Sequence, residues 1–144
     1  MFLGEYQHSL DEKGRVVLPK KFRELLKGGA FVTPGQEHCL YVFTRERFEE
    51  EIDRVGRLPR TDRRARNYAR SFFAGAGEVS PDKQGRIQLS EKQRTYASLE
   101  ADVTVVGVAD RIEIWSTASW EGIAAEADEY FSTIEEVLSD GEGI

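Results

Sequence analysis

The chain contains an internal repeat, which limits the possible folds more than any other feature of the sequence. Asp11–Leu18, with the sequence DEKGRVVL, recurs 71 residues later as Asp82–Leu89, DKQGRIQL. The similarity continues beyond these motifs, for example where Val32 matches Val103 at the same offset. Self-similarity at a fixed offset indicates two copies of one supersecondary unit.

Each copy is predicted to fold as β-β-α-β-β-α. An Asp at the first position of a turn and a Gly at the fourth favour a type I turn, so each motif should close a short hairpin. A helix and a second hairpin should follow, and Thr44 and Ser116 are suitable N-caps for closing helices. A single copy of about 45 residues buries too little surface to be stable alone, so the two copies must share a core.

The sequence therefore predicts an α+β protein: a β-rich, pseudo-twofold domain of two intertwined repeats with peripheral helices. Residues 1–53 are the first repeat, residues 54–75 an Arg-rich helical connector and residues 76–124 the second repeat. From Trp120 to Leu138 the apolar residues keep helical spacing. Residues 125–144 are accordingly predicted to hold the end of an acidic amphipathic helix and a frayed tail.

The charge is divided unequally along the chain, whose formal net charge is −6. Residues 1–75 contain 15 Lys and Arg against 11 Asp and Glu, a net of +4. Residues 76–144 contain 5 Lys and Arg against 15 Asp and Glu, a net of −10. This asymmetry indicates either a polyanion-binding surface with an acidic flank or two solvated faces of opposite sign.

An arginine directly follows the glycine of each turn, Arg15 in the first copy and Arg86 in the second. Asp11 and Asp82 are predicted to shape the turns, but turn geometry places no demand on the side chain after the glycine. Arginine can bind guanine or phosphate bidentately, and two-stranded ribbons can enter the major groove. One such turn would be structural, and its repetition weakens that interpretation for the arginine, so a solvated arginine and a DNA-binding arginine are both open on the residues alone. The candidate DNA-binding residues are Lys13, Gly14, Arg15, Lys83, Gly85 and Arg86.

Further motifs accompany the turns: Phe2-Leu3-Gly4, the segment Phe72–Ala76 between the repeats, and Ile112–Trp115. As a set they resemble the MraZ family of bacterial transcriptional regulators. The resemblance implies two SpoVT-AbrB-like modules and a ring-shaped homo-oligomer, an octamer or a dodecamer. It also implies that Arg15 and Arg86 face double-stranded DNA at short direct repeats in the promoter of the division and cell-wall gene cluster. The second turn carries Gln84 where the family pattern usually has lysine.

Common catalytic motifs are not found, since the chain has no GxSxG, P-loop or HExxH sequence. His38 and Cys39 could be metal ligands or a catalytic pair, but neighbouring residues of a strand point to opposite faces. We therefore expect no catalytic residue, metal, cofactor or small-molecule substrate. One cysteine fits a reducing cytosol and the apolar runs are short, so we expect a cytoplasmic protein with no membrane partner. The resemblance to a DNA-binding family implies, in addition, association with the nucleoid.

The residues alone leave alternatives for the role of the Arg54–Arg70 cluster and for the function of the protein. Seven arginines between Arg54 and Arg70 could contact DNA phosphates or form local surface pairs. We favour a third interpretation, in which they pair with the acidic helix of the same or a neighbouring subunit. The function is predicted to be sequence-specific DNA binding. The alternative is a ring-forming scaffold or antitoxin-like protein-interaction module that does not bind specific DNA.

Overall fold

The computed structural model describes residues 1–134 of the 144-residue chain. Leu138 and the predicted tail Asp140–Ile144 lie outside the described residues. The strands of this part are β1 (Phe2–Ser9), β2 (Arg15–Val17), β3 (Ala30–Pro34), β4 (Leu40–Thr44), β5 (Gly77–Val79), β6 (Arg86–Gln88), β7 (Asp102–Ala109) and β8 (Ile112–Ser116). The helices are α1 (Lys20–Leu25), α2 (Arg45–Gly56), α3 (Arg63–Ala74), α4 (Glu91–Tyr96) and α5 (Thr117–Thr133).

One six-stranded sheet combines strands of both copies in the order β1-β7-β8-β4-β3-β5, and its pairs are antiparallel. The first strand of each copy pairs with the other copy. β1 lies beside β7, from Phe2 opposite Ala109 to Ser9 opposite Asp102, and β5 lies beside β3. The predicted α+β domain of intertwined repeats is confirmed.

Each turn closes a short hairpin within its own copy, as predicted, since the N–H of Asp11 donates to the carbonyl of Arg15 and the N–H of Asp82 to that of Arg86, both at 2.9 Å. In the first copy a bridge between Leu10 and Val16 follows, but the flanking strands form no longer ladder than this with each other. β2 and β6, the strands that follow the two turns, pair with each other instead. This exchange buries Val16 and Ile87 completely in one shared core. A three-residue strand of one copy could not form such a core alone.

Helix α1 packs on this core through two side chains. Phe22 lies edge-on to the rings of Phe2 and Tyr6, with centroid separations of 5.3 and 5.4 Å, and Leu26 is also buried. Leu25, the last residue of the helix, is 44% exposed because only one side of the helix faces the core. Pro19 occupies the N-cap position, where its carbonyl accepts the N–H groups of Phe22 and Arg23 at 2.9 and 3.1 Å.

The predicted helix starts are confirmed. The Thr44 hydroxyl accepts a hydrogen bond from the N–H of Arg47 at 3.2 Å, and the Ser116 hydroxyl accepts one from the N–H of Ser119 at 3.1 Å. A capping box begins α4, where the backbone and side chains of Ser90 and Gln93 bond reciprocally. Such caps satisfy N–H groups that have no partner within the helix.

Helix α5 covers the sheet only near its N-terminus. Trp120 and Ile123 pack against Trp115, Cys39 and Val106, whereas Phe131 is 85% exposed. The predicted helix is therefore present, but the apolar residues of its outer described half are not covered by the rest of the subunit. Among residues 1–134, no helix combines the length and the apolar character needed to cross a membrane.

Candidate nucleic-acid interface

The two motifs form matching four-residue turns. The N–H of Gly14 donates to the carbonyl of Asp11 at 3.0 Å, and the N–H of Gly85 donates to that of Asp82 at 2.8 Å. Gly14 has a φ of 78° and Gly85 a φ of 80°. Side chains with a Cβ rarely adopt this left-handed conformation, so the turns require glycine at these positions.

The aspartate carboxylate organises each turn. Asp11 Oδ1 accepts hydrogen bonds from the N–H groups of Lys13 and Arg15, at 3.0 and 2.9 Å. Asp82 accepts the two equivalent N–H groups in the second turn, each at 2.9 Å. These bonds, first of all the one from the arginine backbone, hold the pKa of each aspartate below its ordinary value of 3.8. Both carboxylates are therefore ionised at neutral pH.

The same carboxylates also orient the arginine side chains. Arg15 Nε donates to Asp11 Oδ2 at 2.8 Å, and Arg86 Nε donates to Asp82 Oδ2 at 2.7 Å. About a quarter of each arginine side chain is exposed, 25% for Arg15 and 27% for Arg86. The turn aspartate therefore holds the arginine side chain, so the expectation that the turn places no demand on this side chain is wrong. Each guanidinium is held in a defined orientation through Nε, and the hydrogen bonds found among residues 1–134 do not use its Nη atoms.

The two arginines lie on one face of the β2–β6 ribbon. Arg15 is opposite Gln88, and Arg86 is opposite Val17, so the arginines are diagonal neighbours. Such neighbours are roughly 7 Å apart on the same face of an antiparallel pair. The other face carries Val16 and Ile87, both completely buried. The ribbon therefore has an apolar inner face and a polar outer face with both arginines.

Reciprocal backbone hydrogen bonds tie each turn to the other repeat. The N–H of Leu18 donates to the carbonyl of Gly85 at 2.9 Å, and the N–H of Leu89 donates to that of Gly14 at 3.0 Å. Gln88 Nε2 adds a bond of 2.6 Å to the carbonyl of Lys13. The two turns are thus parts of one unit, and neither can be positioned without the opposite copy.

Sequence reasoning missed Arg23 and Arg94, which cover the turn glycines of the opposite copies. A Cβ on Gly14 would collide with the guanidinium of Arg94, and a Cβ on Gly85 would collide with the side chain of Arg23. The Arg94 side chain also donates to the carbonyl of Leu89 at 2.5 Å. The missed signal was the offset, because Arg23 and Arg94 are 71 residues apart like the turns themselves.

The two candidate lysines are exposed but not equivalent. Lys13 is the third residue of its turn, whereas Lys83 is the second residue of its turn. Gln84 occupies the position that corresponds to Lys13, and its N–H makes the corresponding bond to Asp82. Each turn therefore carries one lysine, at the third position of the first turn and at the second position of the second turn.

Positive charge is concentrated at the second turn. Residues 20–27 contain four basic residues and one acidic residue, whereas the equivalent residues 91–98 contain two and one. Lys20, Arg23 and Lys27 line a groove together with Glu24, Leu26, Ser80, Pro81 and Asp82, directly before the second turn, and Lys27 pairs with Glu24 at 3.2 Å. Helix α1 of the first repeat therefore gives the second turn a more basic flank than α4 gives the first turn.

His38 and Cys39 do not form a joint site. Both precede β4 rather than beginning it, and Cys39 is completely buried. Burial raises the pKa of its thiol, and the thiol contacts the carbonyl of Gln36 at 3.3 Å. His38 Nδ1 lies 3.3 Å from the carbonyl of Tyr96. Within residues 1–134, no group of three His, Cys, Asp or Glu side chains could hold a metal ion.

Several arginines of the connector form local contacts. Arg54 bonds to Glu51 at 2.8 Å and to the Tyr68 hydroxyl at 3.2 Å, and Arg64 pairs with Asp62 at 2.9 Å. Ion pairs between Arg60–Arg70 and α5 are not found within one subunit among residues 1–134. The prediction of such pairing inside a chain is therefore wrong for this part, because α5 contacts β7 and β8 instead. Pairing across a subunit boundary stays a prediction.

The fold and the turns together define a class of protein. It is an internally duplicated α+β domain whose two repeats exchange strands and present paired arginine turns on one ribbon. The family model described as "MraZ protein, putative antitoxin-like" matches residues 1–71 and 72–140. The chain belongs to the MraZ family, and the resemblance noted in the sequence is confirmed.

Similar proteins cover nearly the whole chain. The "Transcriptional regulator MraZ" of Salinispora tropica is 45% identical over 141 residues, which are 98% of this chain and 99% of that protein. The protein of the same name from Micrococcus luteus is 48% identical over 139 residues, 96% and 97% of the two chains. That from Saccharopolyspora erythraea is 47% identical over 139 residues, with the same coverage.

Proposed function

We propose that this protein is a sequence-specific DNA-binding transcriptional regulator without catalytic activity. The observation that carries the proposal is the placement of Arg15 and Arg86 on the outer face of one ribbon, each held by a turn aspartate. A two-stranded ribbon fits the major groove, where an oriented guanidinium can bind guanine bidentately. The names of the relatives, which denote transcriptional regulators, agree with this proposal.

The proposed target is a set of short direct repeats in the promoter of the division and cell-wall gene cluster. Residues 1–53 and 76–124 would each supply one turn, joined by residues 54–75, with residues 125–144 outside the DNA-binding unit. Lys13 and Lys83 would contact phosphates. Gly14 and Gly85, which are buried beneath Arg94 and Arg23, would belong to the site by holding the turns in their left-handed conformation. A cytoplasmic, nucleoid-associated ring-shaped homo-oligomer, an octamer or a dodecamer, would present many ribbons together.

The proposal also assigns different weights to the two turns. The basic flank of α1 lies beside the second turn, so phosphate contacts should be more numerous at that end of the ribbon. Such contacts set the position and affinity of a protein on DNA, whereas base contacts set its specificity. The second turn has Gln84 at the position that Lys13 occupies in the first turn. Lys20, which lines the groove before the second turn, would supply the missing positive charge there.

The proposal is tested by binding to the protein's own upstream promoter DNA and to a scrambled duplex, measured by fluorescence anisotropy at several salt concentrations. We expect Arg15→Ala and Arg86→Ala each to lose about 1–3 kcal/mol of specific binding, because each removes one base contact. Circular dichroism and thermal unfolding check that both variants are folded. If both variants bind the promoter like the wild type, the turn assignment is wrong.

A ring-forming scaffold or antitoxin-like interaction module is the second candidate. The exposed apolar stripe of α5, which includes Phe131 at 85% exposure, favours protein–protein contact. The same anisotropy measurement separates the two candidates. A scaffold shows no preference for promoter DNA over the scrambled duplex at physiological salt, whereas a regulator does.

A further inference from the structure

We propose that a cavity between the two repeats binds a small aromatic carboxylate. The cavity has a volume of about 250 Å³ and lies where α4 of the second repeat faces the end of α3 and the strands β3 and β4 of the first repeat. The ligand would be bound and released unchanged, as an effector and not as a substrate. Its binding does not depend on DNA binding, so a failure here would leave the proposed function untouched.

The first copy fills the equivalent space with aromatic rings. Phe22 of α1 lies edge-on to Tyr6 of β1, with ring centroids 5.4 Å apart, and a Cβ on Gly4 would meet the Tyr6 ring at 3.1 Å. The residues of the second copy that correspond to Tyr6, Phe22 and Gly4, each 71 positions later, are Gly77, Gln93 and Gly75. The second copy therefore lacks both rings that close this space in the first.

The cavity lies at the position of the missing rings. Gly75 and Gln93 both line it, and a Cβ on Gly77 would be 3.8 Å from Gln93 Nε2. The amide of one glutamine does not replace two aromatic side chains, so space remains between α4 and the sheet. Cavities that arise where a large apolar side chain is absent can bind a small ring molecule such as benzene. The pseudosymmetry of the chain thus indicates a ligand with an aromatic ring.

The walls of the cavity suit such a ring. Leu40 is completely buried, and Pro34 and Tyr96 supply two more apolar surfaces. The Tyr96 hydroxyl donates to the carbonyl of Gly35 at 2.5 Å, so this wall has a fixed position. Ligand sites commonly have volumes of about 300–1,000 Å³ and combine apolar walls with a few polar groups. A slightly smaller cavity limits the ligand to one ring with a short substituent.

The polar groups of the cavity select a carboxylate as that substituent. Lys92 lines the cavity and takes part in no ion pair among residues 1–134. Its ammonium group is therefore available to an anion. One positive charge matches the single negative charge of a carboxylate.

Gln93 adds a donor inside the cavity. This residue is 7% exposed, and its Nε2 donates to the carbonyls of Val32 at 3.4 Å and Gly75 at 3.2 Å. Both distances are at or beyond the ordinary upper limit of about 3.2 Å for such bonds. Hydrogen bonds to a charged acceptor are stronger than those to a neutral carbonyl, so a carboxylate can compete for the same N–H groups.

The ligand would join parts of the chain that are distant in sequence. Leu40 belongs to the first repeat, Ser71 to the connector and Lys92 to the second repeat, and all three line the cavity. The cavity therefore exists only when the two repeats are folded together. A ligand that binds only the folded state stabilises it by mass action, so occupation should raise the Tm.

The first test measures binding of sodium benzoate and sodium phenylacetate to the full chain by saturation-transfer NMR and calorimetry. We expect saturable binding with a Kd of about 1 mM or tighter, and a higher Tm at saturation. Benzyl alcohol, which has the ring without the charge, and acetate, which has the charge without the ring, should bind at least about tenfold more weakly. The absence of saturable binding by both aromatic carboxylates, or equal binding of benzyl alcohol, overturns the proposal.

The second test removes the charge. Lys92→Gln should weaken benzoate binding at least about fivefold, because the carboxylate loses its ionic partner. Lys21→Gln is the matched control, since Lys21 is the equivalent lysine of α1 and does not line the cavity. This control should bind benzoate like the wild type. Equal effects of the two variants would show that the carboxylate does not meet Lys92, and the proposal would be wrong.

The third test fills the cavity. Gln93→Phe introduces the residue of the first copy and should weaken benzoate binding at least about tenfold. Because Gln93 also caps α4, Ser71→Leu is a second variant that fills the cavity from α3 and leaves the cap in place. The control Asn67→Leu adds the same side chain to α3 outside the cavity. Thermal unfolding without ligand checks that each variant is folded. Unchanged benzoate affinity in both filled variants would place the ligand elsewhere and overturn the proposal.

Discussion

Arg15 Nε lies 2.8 Å from Asp11 Oδ2, so the residue that shapes the turn also holds the side chain that the turn presents. The equivalent atoms of Arg86 and Asp82 lie 2.7 Å apart. A flexible arginine loses rotamer entropy when it binds a ligand, and the carboxylate fixes much of that freedom in advance. The aspartates are therefore positioning residues in the proposed interface as well as turn formers.

We expect Asp11→Asn to weaken promoter binding while leaving the fold intact. The amide retains an oxygen for the N–H groups of Lys13 and Arg15, but it loses the negative charge that holds Arg15 Nε. The expected loss of specific affinity is about 1 kcal/mol, smaller than for Arg15→Ala. Anisotropy measures the affinity, and Glu12→Gln in the same turn is the control that removes an exposed charge. Equal effects of the two variants would contradict the positioning role.

Promoter binding should depend strongly on the number of repeats in the DNA. The chain carries a net charge of −6, so a single ribbon should bind weakly against long-range repulsion. Linked sites in an assembly raise the effective concentration and increase affinity by about 10²–10⁴. Anisotropy with single-repeat and multi-repeat probes of equal length checks this. Equal affinity for the two probes would exclude avidity as the source of tight binding.

Removing a basic side chain from α1 should weaken the salt dependence of DNA binding and leave the preference for the promoter sequence largely unchanged. Lys20→Ala removes one basic side chain from the groove before the second turn, so the slope of log K against log salt should fall by about 1. Lys92→Ala in α4, which does not line this groove, is the matched control. If Lys92→Ala lowers the slope as much as Lys20→Ala, then α1 and α4 contribute equally to phosphate contacts and the prediction is wrong.

Gly14→Ala should destabilise the protein by about 1–2 kcal/mol, since the φ of 78° is unfavourable for any residue with a Cβ. The added methyl group would also displace Arg94 from the turn. Urea unfolding measures the change in the free energy of unfolding. Gly56→Ala at the end of α2 meets open space and serves as the control, with a neutral or slightly stabilising effect expected. A neutral Gly14→Ala would show that the turn can adopt another conformation.

Acid should destabilise the protein partly through Glu51. Burial alone would raise the pKa of this carboxyl group, but hydrogen bonds from Arg54 and Arg47 outweigh it and hold the pKa below its ordinary value of 4.5. A group whose pKa is lower in the folded state stabilises it above the unfolded pKa, and this stabilisation is lost as the pH falls through the folded pKa.

Glu51→Gln should therefore cost about 1–3 kcal/mol at pH 7 and flatten the decline in stability as the pH falls below about 5. Urea unfolding across this pH range measures both effects. The exposed Glu49→Gln in the same helix should keep the wild-type pH dependence. A Glu51→Gln variant with the wild-type slope would show that other carboxylates account for the acid sensitivity.

The local elements could be predicted because their signals are local. Thr44, Ser90 and Ser116 cap helices as their residue type predicts, and the Asp-to-Gly spacing predicts two turns, which the structure contains. The turn arginines could be identified as candidates because the repeat duplicates them. Their functional role rests on the proposed experiments.

Partner choice could not be predicted, because a strand of three residues carries no information on which strand it pairs with. β2 and β6 satisfy the same alternation whether they pair within a copy or across copies. Only the tertiary structure shows the exchange. Leu25 could not be placed from the sequence either. Its apolar side chain favours burial, but its position on α1 leaves it 44% exposed.

The sequence by itself determined the duplication, the order of the elements, the two turns and the division of charge. The elements and the turns depend on residue type and spacing within a short stretch, and the duplication and the charge division emerge when such stretches are compared along the chain. The tertiary structure decided which strands pair, how Arg23 and Arg94 cover the opposite glycines, and that Arg15 and Arg86 share one face. These depend on contacts between residues about 70 positions apart, where burial of a common core selects the pairing and local propensity does not.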